Sequence, residues 1–180
     1  MAETIDVPFL LSQRKIVITK DGRSLKEVLD FNKNHSYRYY MALEQDLAED
    51  IKFFLEITRS SKRSVQLTLH FQDKTSNICL IRIDFNPGAQ HTNPPLSNNG
   101  TDVPPELIQF AGKKISGSHV HYYVDGYKPA AWAMPLENTD FEVKDFDEND
   151  FVNSFNNIMQ AFSLKINLVT EIRHIDVLPI

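Results

Sequence analysis

His119, His121 and Tyr123 occupy every second position of the stretch Ser116-Gly-Ser-His-Val-His-Tyr-Tyr-Val-Asp125. In an extended strand, positions two apart share a face, so two imidazoles and a phenol point one way and Val120, Tyr122 and Val124 the other. Two chemistries suit such a face. The first is acid–base catalysis without a metal, as in ribonucleases that use the RNA 2′-hydroxyl as nucleophile. It needs a base, an acid and a cation to stabilise a phosphorane-like transition state. His119 and His121 supply the base and the acid, Arg82 the cation and Tyr123 a hydrogen-bond donor. His121 is the favoured residue because a mid-strand position holds it rigidly. The second chemistry is metal binding. His-x-His offers two ligands, and His91, in Gln90-His-Thr-Asn-Pro94, offers a third for zinc or another divalent transition metal. A different class of function is also open: a binding or interaction module whose polar face recognises a protein or a small ligand.

The elements that position these residues read as an antiparallel sheet. Lys15–Thr19 reads as a strand ending at the turn pair Asp21-Gly22, after an arm over 1–13. Tyr40, Leu43, Leu47 and Ile51 recur at helical spacing, which predicts a helix over about 40–50. The period then becomes two. Phe53, Leu55 and Ile57, then Val65, Leu67, Leu69 and Phe71, then Cys79, Ile81, Ile83 and Phe85 alternate with polar neighbours. The connections Ser60–Arg63 and Gln72–Asn77 are short, which makes these strands hairpin partners. Residues 86–113 hold five of the nine prolines and three of the six glycines, and read as a long loop with a helical turn near 106–110. Strands follow at about 117–124 and 130–135. Phe151, Val152, Phe155, Ile158, Met159 and Phe162 form an apolar stripe on a helix over about 148–162, with Asp147 as its N-cap. Residues 164–180 fit a short strand or a helix.

Assembled, this is a two-layer α+β single domain: an antiparallel sheet of about five to six strands with the 148–162 helix on its apolar face. Period-two parity places Gln66, Thr68, His70, Arg82, Asp84, His119, His121 and Tyr123 on the other face. Asp84, His70, Trp132 and Asn93 are the candidate substrate-binding residues there. Trp132 stacks on a base or ring if it reaches that face, and packs in the core otherwise.

Composition narrows the class. With 42% hydrophobic and 24% charged residues, the chain is an ordinary globular one. No run approaches the ~20 apolar residues of a membrane helix, so no membrane partner is expected. The acidic start, Met-Ala-Glu-Thr-Ile-Asp, has no basic region followed by an apolar one, and the single cysteine, Cys79, excludes an internal disulfide framework. Both point to the cytoplasm. Six acids and one base over 140–150 account for the whole net charge of −5. A protein-wide basic field for nucleic acid is therefore absent, although a local basic pocket is allowed. Asp145-Phe-Asp-Glu-Asn149 starts like an EF-hand loop, but Asp150 stands where that loop needs Gly and Asn156 where it needs Glu. Cys79 falls on the apolar face of its strand and reads as a core residue. The sequons at Asn34 and Asn99 carry little meaning without a secretory signal.

From Phe54 to about Phe162 the chain resembles a family of small, uncharacterised bacterial proteins found in mobile or prophage-like gene neighbourhoods. The matching elements are Arg82-x-Asp84, His91-x-Asn93-Pro94, His119-x-His121-x-Tyr123, Gly126-Tyr127 and Trp132-Ala133-x-Pro135-Leu136. The chain departs from it by an insertion-like stretch, Ser97 to Gly112, and by Asp125 where a Glu is expected. The resemblance groups Arg82, Asp84, His91, His119, His121 and Trp132 as one constellation and implies no established activity. The leading expectation is thus a small cytoplasmic ribonuclease-like protein of a toxin or phage-related system, acting on RNA without metal. The alternatives are a protein- or ligand-binding module and a histidine-ligated metal site.

Overall fold

Alternating patterning builds an eight-stranded antiparallel sheet, seen in a computed structural model that describes residues 5–60, 66–96, 103–143, 145–147 and 149–175. The strands are β1 (Lys15–Thr19), β2 (Gly22–Ser24), β3 (Lys26–Leu29), β4 (Ser36–Leu43), β5 (Phe53–Ser60), β6 (Gln66–Asp73), β7 (Ile78–Phe85), β8 (Gln90–Thr92), β9 (Lys114–Ser116), β10 (His119–Tyr122), β11 (Trp132–Pro135) and β12 (Glu171–His174). The helices are α1 (Val7–Ser12), α2 (Pro105–Ile108) and α3 (Phe151–Lys165). The main sheet runs β11-β10-β7-β6-β5-β4-β1-β2, while β3 pairs in parallel with β12 and β8 antiparallel with β9. The α+β class and the antiparallel sheet stand as expected; the sheet has more strands than the expected five to six.

The apolar face carries the core. Leu55, Ile57, Leu67, Leu69, Phe71, Ile83, Phe85 and Val120 are fully buried against Phe155, Ile158, Met159 and Phe162 of α3. Each such side chain contributes roughly 1.5–3 kcal/mol by leaving water. The N-cap position of α3 is Asp150 rather than Asp147, and Asp147 instead donates its N–H to the Ser154 hydroxyl, 3.0 Å away.

Several expectations change. The stretch read as a helix over 40–50 is strand β4 followed by turns. Tyr39 and Met41 are buried and Tyr40 is exposed, a period of two that the helical spacing of Tyr40, Leu43 and Leu47 had masked. Beyond Leu43, Arg23 donates to the carbonyls of Glu44 (2.7 Å) and Asp46 (2.6 Å), bonds that hold this segment to β2. The arm is partly ordered as α1, whose Val7, Leu10 and Leu11 pack on the core. The undecided C-terminal segment supplies β12. In β7, a bulge sets Phe71 opposite Ile81 but Gln72 opposite Cys79. Leu80 therefore joins the core cluster, and Cys79, although buried, falls out of the apolar alternation. Burial pushes its thiol up to about 12, so it is no thiolate nucleophile at neutral pH. Val65, the 61–63 connection, residues 97–102 with the Asn99 sequon, Lys144, Glu148 and the chain after 175 lie outside the described residues. Among the described residues, no helix is long and apolar enough to cross a membrane.

Candidate functional site

Strand register creates the site. One row across the polar face reads Arg38, Glu56, His70, Arg82, His121, and the next reads Ser36, Thr58, Thr68, Asp84, His119. Asp84 thus lies in the strand beside His119 and diagonal to His121, which cross-strand geometry puts within reach.

His91 arrives from the long loop. That loop doubles back, pairing β8 with β9, and β9 leads into β10 through the corner Gly117-Ser118. Gly117 has φ +85°, a conformation that L side chains rarely adopt. The corner is tied down by Ser118, whose hydroxyl accepts the Asn86 N–H (2.9 Å) and donates to Asp145 (2.7 Å). Asn93 docks the loop on the free edge of β11. Its carboxamide donates to the Ala133 carbonyl and accepts the Ala133 N–H, both at 2.8 Å, which is the bonding a further strand would supply.

Each imidazole has one nitrogen committed to a main-chain carbonyl. His91 Nε2 donates to Ala131 (2.9 Å), His119 Nδ1 to Gly117 (2.7 Å) and His121 Nδ1 to Ala130 (2.9 Å). The His121 ring centroid is 4.7 Å from that of His91 and 4.7 Å from that of His119. One nitrogen of each ring lies within 4.8 Å of the others. Asp84 is the hub beneath them. Its Oδ1 accepts from Thr68 (2.8 Å) and from Arg82 Nε and Nη2 (3.0 Å each). Its Oδ2 lies 3.1 Å from His121 Nε2 and 3.8 Å from His119 Nε2.

The electrostatics follow from burial and these bonds. Burial alone would raise the Asp84 carboxyl. The hydrogen bond from His121, the Arg82 charge and the Thr68 hydroxyl outweigh it and hold Asp84 well below the usual carboxylate range. Burial lowers His91 and His119, so both are neutral at pH 7, the form that binds a metal or takes a proton. His121 differs: both of its nitrogens face acceptors. With Nδ1 turned to the Ala130 carbonyl, Nε2 is the nitrogen that faces Asp84, the place where a proton or a metal ion would sit between the two. That occupation also makes His119, rather than His121, the imidazole with a nitrogen open for proton transfer.

These groups line a cleft of about 560 Å³ together with Gln66, Asn86, Gln90 and Ala130. Residues 6–164 of the chain match a family described as a family of unknown function, DUF6978. The chain belongs to this family. Comparison with curated proteins and with solved structures finds no match. The family match takes in the N-terminal strands as well as the region of resemblance noted from Phe54 onward, so the cleft and the main sheet that builds it fall within the matched residues.

Of the nine candidate residues, His91, His119, His121, Arg82 and Asp84 come together. The other four take different places. Trp132 pairs with Tyr122, in the row Leu55, Phe71, Ile81, Tyr122, Trp132, and is fully buried on the apolar side; it offers no stacking surface in the cleft. Tyr123 lies past the end of β10, donates to Asp125 (3.0 Å) and lines a separate cavity of about 830 Å³ on the other side of the sheet. Asn93 is 1% exposed and spends its amide on the main chain, so it positions His91 rather than touching a ligand. His70 sits one strand further out, opposite Arg82. Parity had placed Thr68 on this face without giving it the role of holding Asp84. The carbonyls of Gly117, Ala130 and Ala131 leave no signature in side-chain types.

Ala130 aims its carbonyl at His121 from φ +55°, an unfavourable conformation for alanine. Ala130→Gly should therefore raise stability by about 0.5–1 kcal/mol and Ala130→Val should lower it by more than about 1 kcal/mol, read as urea midpoints. Equal midpoints for the two variants would show that the segment relaxes freely.

Proposed function

We propose that His91, His119 and His121 bind a divalent transition-metal ion, of the zinc or iron(II) class, and that the ion is the reactive centre of a hydrolytic enzyme. The observation that supports this is the convergence of three imidazoles, each oriented through a main-chain carbonyl. Carbonyl-anchored imidazoles are the usual outer support of metal-ligating histidines. Donor atoms of a tetrahedral zinc site stand about 3.3 Å apart, so small side-chain rotations bring the three nitrogens onto one ion. Three protein ligands leave a position for water, which the ion makes nucleophilic near neutral pH. In this reading His121 Nε2 turns from Asp84 to the ion, and Asp84, fixed by Arg82 and Thr68, places negative charge beside it. The half-exposed Arg82 meets an anionic substrate at the cleft floor.

The close approach of Asp84 to His121 favours a second reading, the metal-independent ribonuclease. There a proton, not a metal, sits between the two; His119 is the base and Arg82 the cation. One experiment separates them. Cobalt(II) titration of the purified protein should give a one-to-one visible absorption band that His119→Ala/His121→Ala removes. No band, together with RNA degradation that survives EDTA and is lost in His119→Ala, would replace the metal reading by the second. RNA degradation indistinguishable between wild type and His119→Ala would end the second.

A further inference from the structure

We infer that the uncovered face of the sheet, from the cleft outward along β7, β6, β5 and β4, is a track for single-stranded nucleic acid. The inference rests on the reading of the cleft as a catalytic site and names its substrate class. The track is the cross-strand row that starts at His121 and runs through Arg82, His70 and Glu56 to Arg38. Four strand spacings separate β10 from β4, about 19 Å, the reach of a few nucleotides. Beside it runs a second row in which Tyr40 faces Phe54. The helix α3 covers the opposite face, so these side chains have no second layer of described elements above them.

The residue types fit a strand of nucleotides. Tyr40 is 41% exposed. The Arg38 guanidinium sits over Phe54, 4.8 Å from the ring centroid, and the Phe54 and His70 ring centroids are 6.2 Å apart. Aromatic rings and arginine planes on an open sheet are what unpaired bases stack on, while arginines meet the phosphates. A duplex offers only base edges and backbone, so it cannot use such a platform. Glu56 and Asp84 pair with Arg38 and Arg82 and keep the track near neutral in the free protein, which suits weak, stacking-driven contact more than bulk charge attraction. The acidic segment behind the net charge is elsewhere: Glu142, Asp145, Asp147 and Asp150 border a groove with α3, in the other layer. His70 Nε2 is buried with no hydrogen-bond partner among the described residues, a polar atom on the track left unsatisfied in the free protein.

The test is fluorescence anisotropy of labelled oligouridine, oligodeoxythymidine and an RNA duplex with the full chain, in EDTA so that no metal chemistry intervenes. Single strands should bind, and the duplex should bind at least about tenfold more weakly. Arg38→Ala/Tyr40→Ala should weaken single-strand binding about tenfold, and Arg173→Ala, an exposed arginine on β12, should leave it unchanged. Both track residues are exposed; should the pair fail a melting check, Arg38→Glu alone carries the same expectation. Preference for oligouridine identifies RNA, and equal binding identifies single strands of either sugar. Absent binding, a duplex bound as tightly, or an unaffected track variant overturns the inference. The cobalt band should be the same in the track variant. Absent single-strand binding by the wild-type protein with an intact cobalt band therefore rejects the substrate class and leaves the metal centre standing.

Discussion

Asp84→Ala is expected to destabilise the folded chain by about 3–5 kcal/mol at pH 7, the cost of removing one partner from a buried charged network. The side chain is 12% exposed and accepts from Arg82, Thr68 and His121. Its loss leaves the Thr68 hydroxyl and His121 Nε2 without their acceptor. The Arg82 guanidinium is 38% exposed and recovers water, so Arg82→Ala should cost less, and the double variant should be more stable than the sum of the two predicts. The pH dependence supplies the signature. The folded-state affinity of Asp84 for protons is depressed, so its stabilisation is complete above its ordinary value near 3.8 and is lost as pH falls through the lower folded value. The gap between wild type and Asp84→Ala in urea unfolding should therefore be constant from pH 7 to 5 and close only in strong acid. His91 and His119 act in a different window. Their folded affinities are also depressed, from 6.5, so the unfolded chain takes up more protons below about pH 6.5 and wild-type stability falls as the medium is acidified there. A gap that closed already at pH 6 would place the dominant charge interaction on the histidines and not on Asp84.

How much of this was readable beforehand follows from where one face is wet and one is dry. In β5, β6 and β7 that contrast is written every second residue, so the common face of Thr68, Arg82, Asp84, His119 and His121 was available from parity alone. Parity failed where its phase was not set. Nine residues separate Tyr122 from Trp132, and a connection of that length leaves the phase of the next strand open. Trp132 therefore fell on the core side instead of the cleft. Tyr123 has the right spacing but lies beyond the last paired residue, where alternation ceases to dictate direction. In β4 the aromatic residues satisfy a helical and a two-residue period at once, and packing of Tyr39 and Met41 in the sheet decided for the strand. His91 has no periodic signal. Its place depends on the β8–β9 pairing and on the Asn93 clasp of Ala133, both contacts distant in sequence, and only its type as a third metal ligand and the family elements group it with the other histidines. The parallel pairing of β3 with β12 joins segments some 145 positions apart, beyond any local pattern.

Lys15 carries the second large effect, and nothing in the pattern Lys15-Ile-Val-Ile-Thr19 marked it. It is 0% exposed. Its Nζ donates to the carbonyls of Leu11 (3.1 Å), Gln13 (2.6 Å) and Ile166 (2.8 Å), and lies 5.1 Å from the Phe53 and 5.5 Å from the Phe71 ring centroids. Leu11 and Gln13 end α1, and Ile166 caps α3. One ammonium thus satisfies the carbonyl ends of two helices and fixes both to β1, where a cation also suits the helix dipoles. Burial opposes the charge and lowers the amine to about 7 from its ordinary 10.5. Lys15→Met keeps the stem and relieves that opposition, but leaves three buried acceptors without a donor. At roughly 1–3 kcal/mol for each unsatisfied group, the loss outweighs the relief, and a net cost of about 2–4 kcal/mol is expected in urea unfolding. The sign of the pH dependence distinguishes this from simple loss of packing. Between pH 7 and 9.5 the unfolded chain holds the Lys15 proton and the folded chain has released it, so wild-type stability should rise with pH across that window. Lys15→Met should lack that rise, and its stability should fall from about pH 8.5 as the unfolded Cys79 thiol ionises, a decline common to both proteins. Above it, the buried hydroxyls of Tyr39 and Tyr122, raised by burial, reverse the slope in both proteins. A wild type and a Lys15→Met protein with parallel pH profiles from 7 to 9.5 would mean that the ammonium keeps its proton in the fold, held by its three carbonyls.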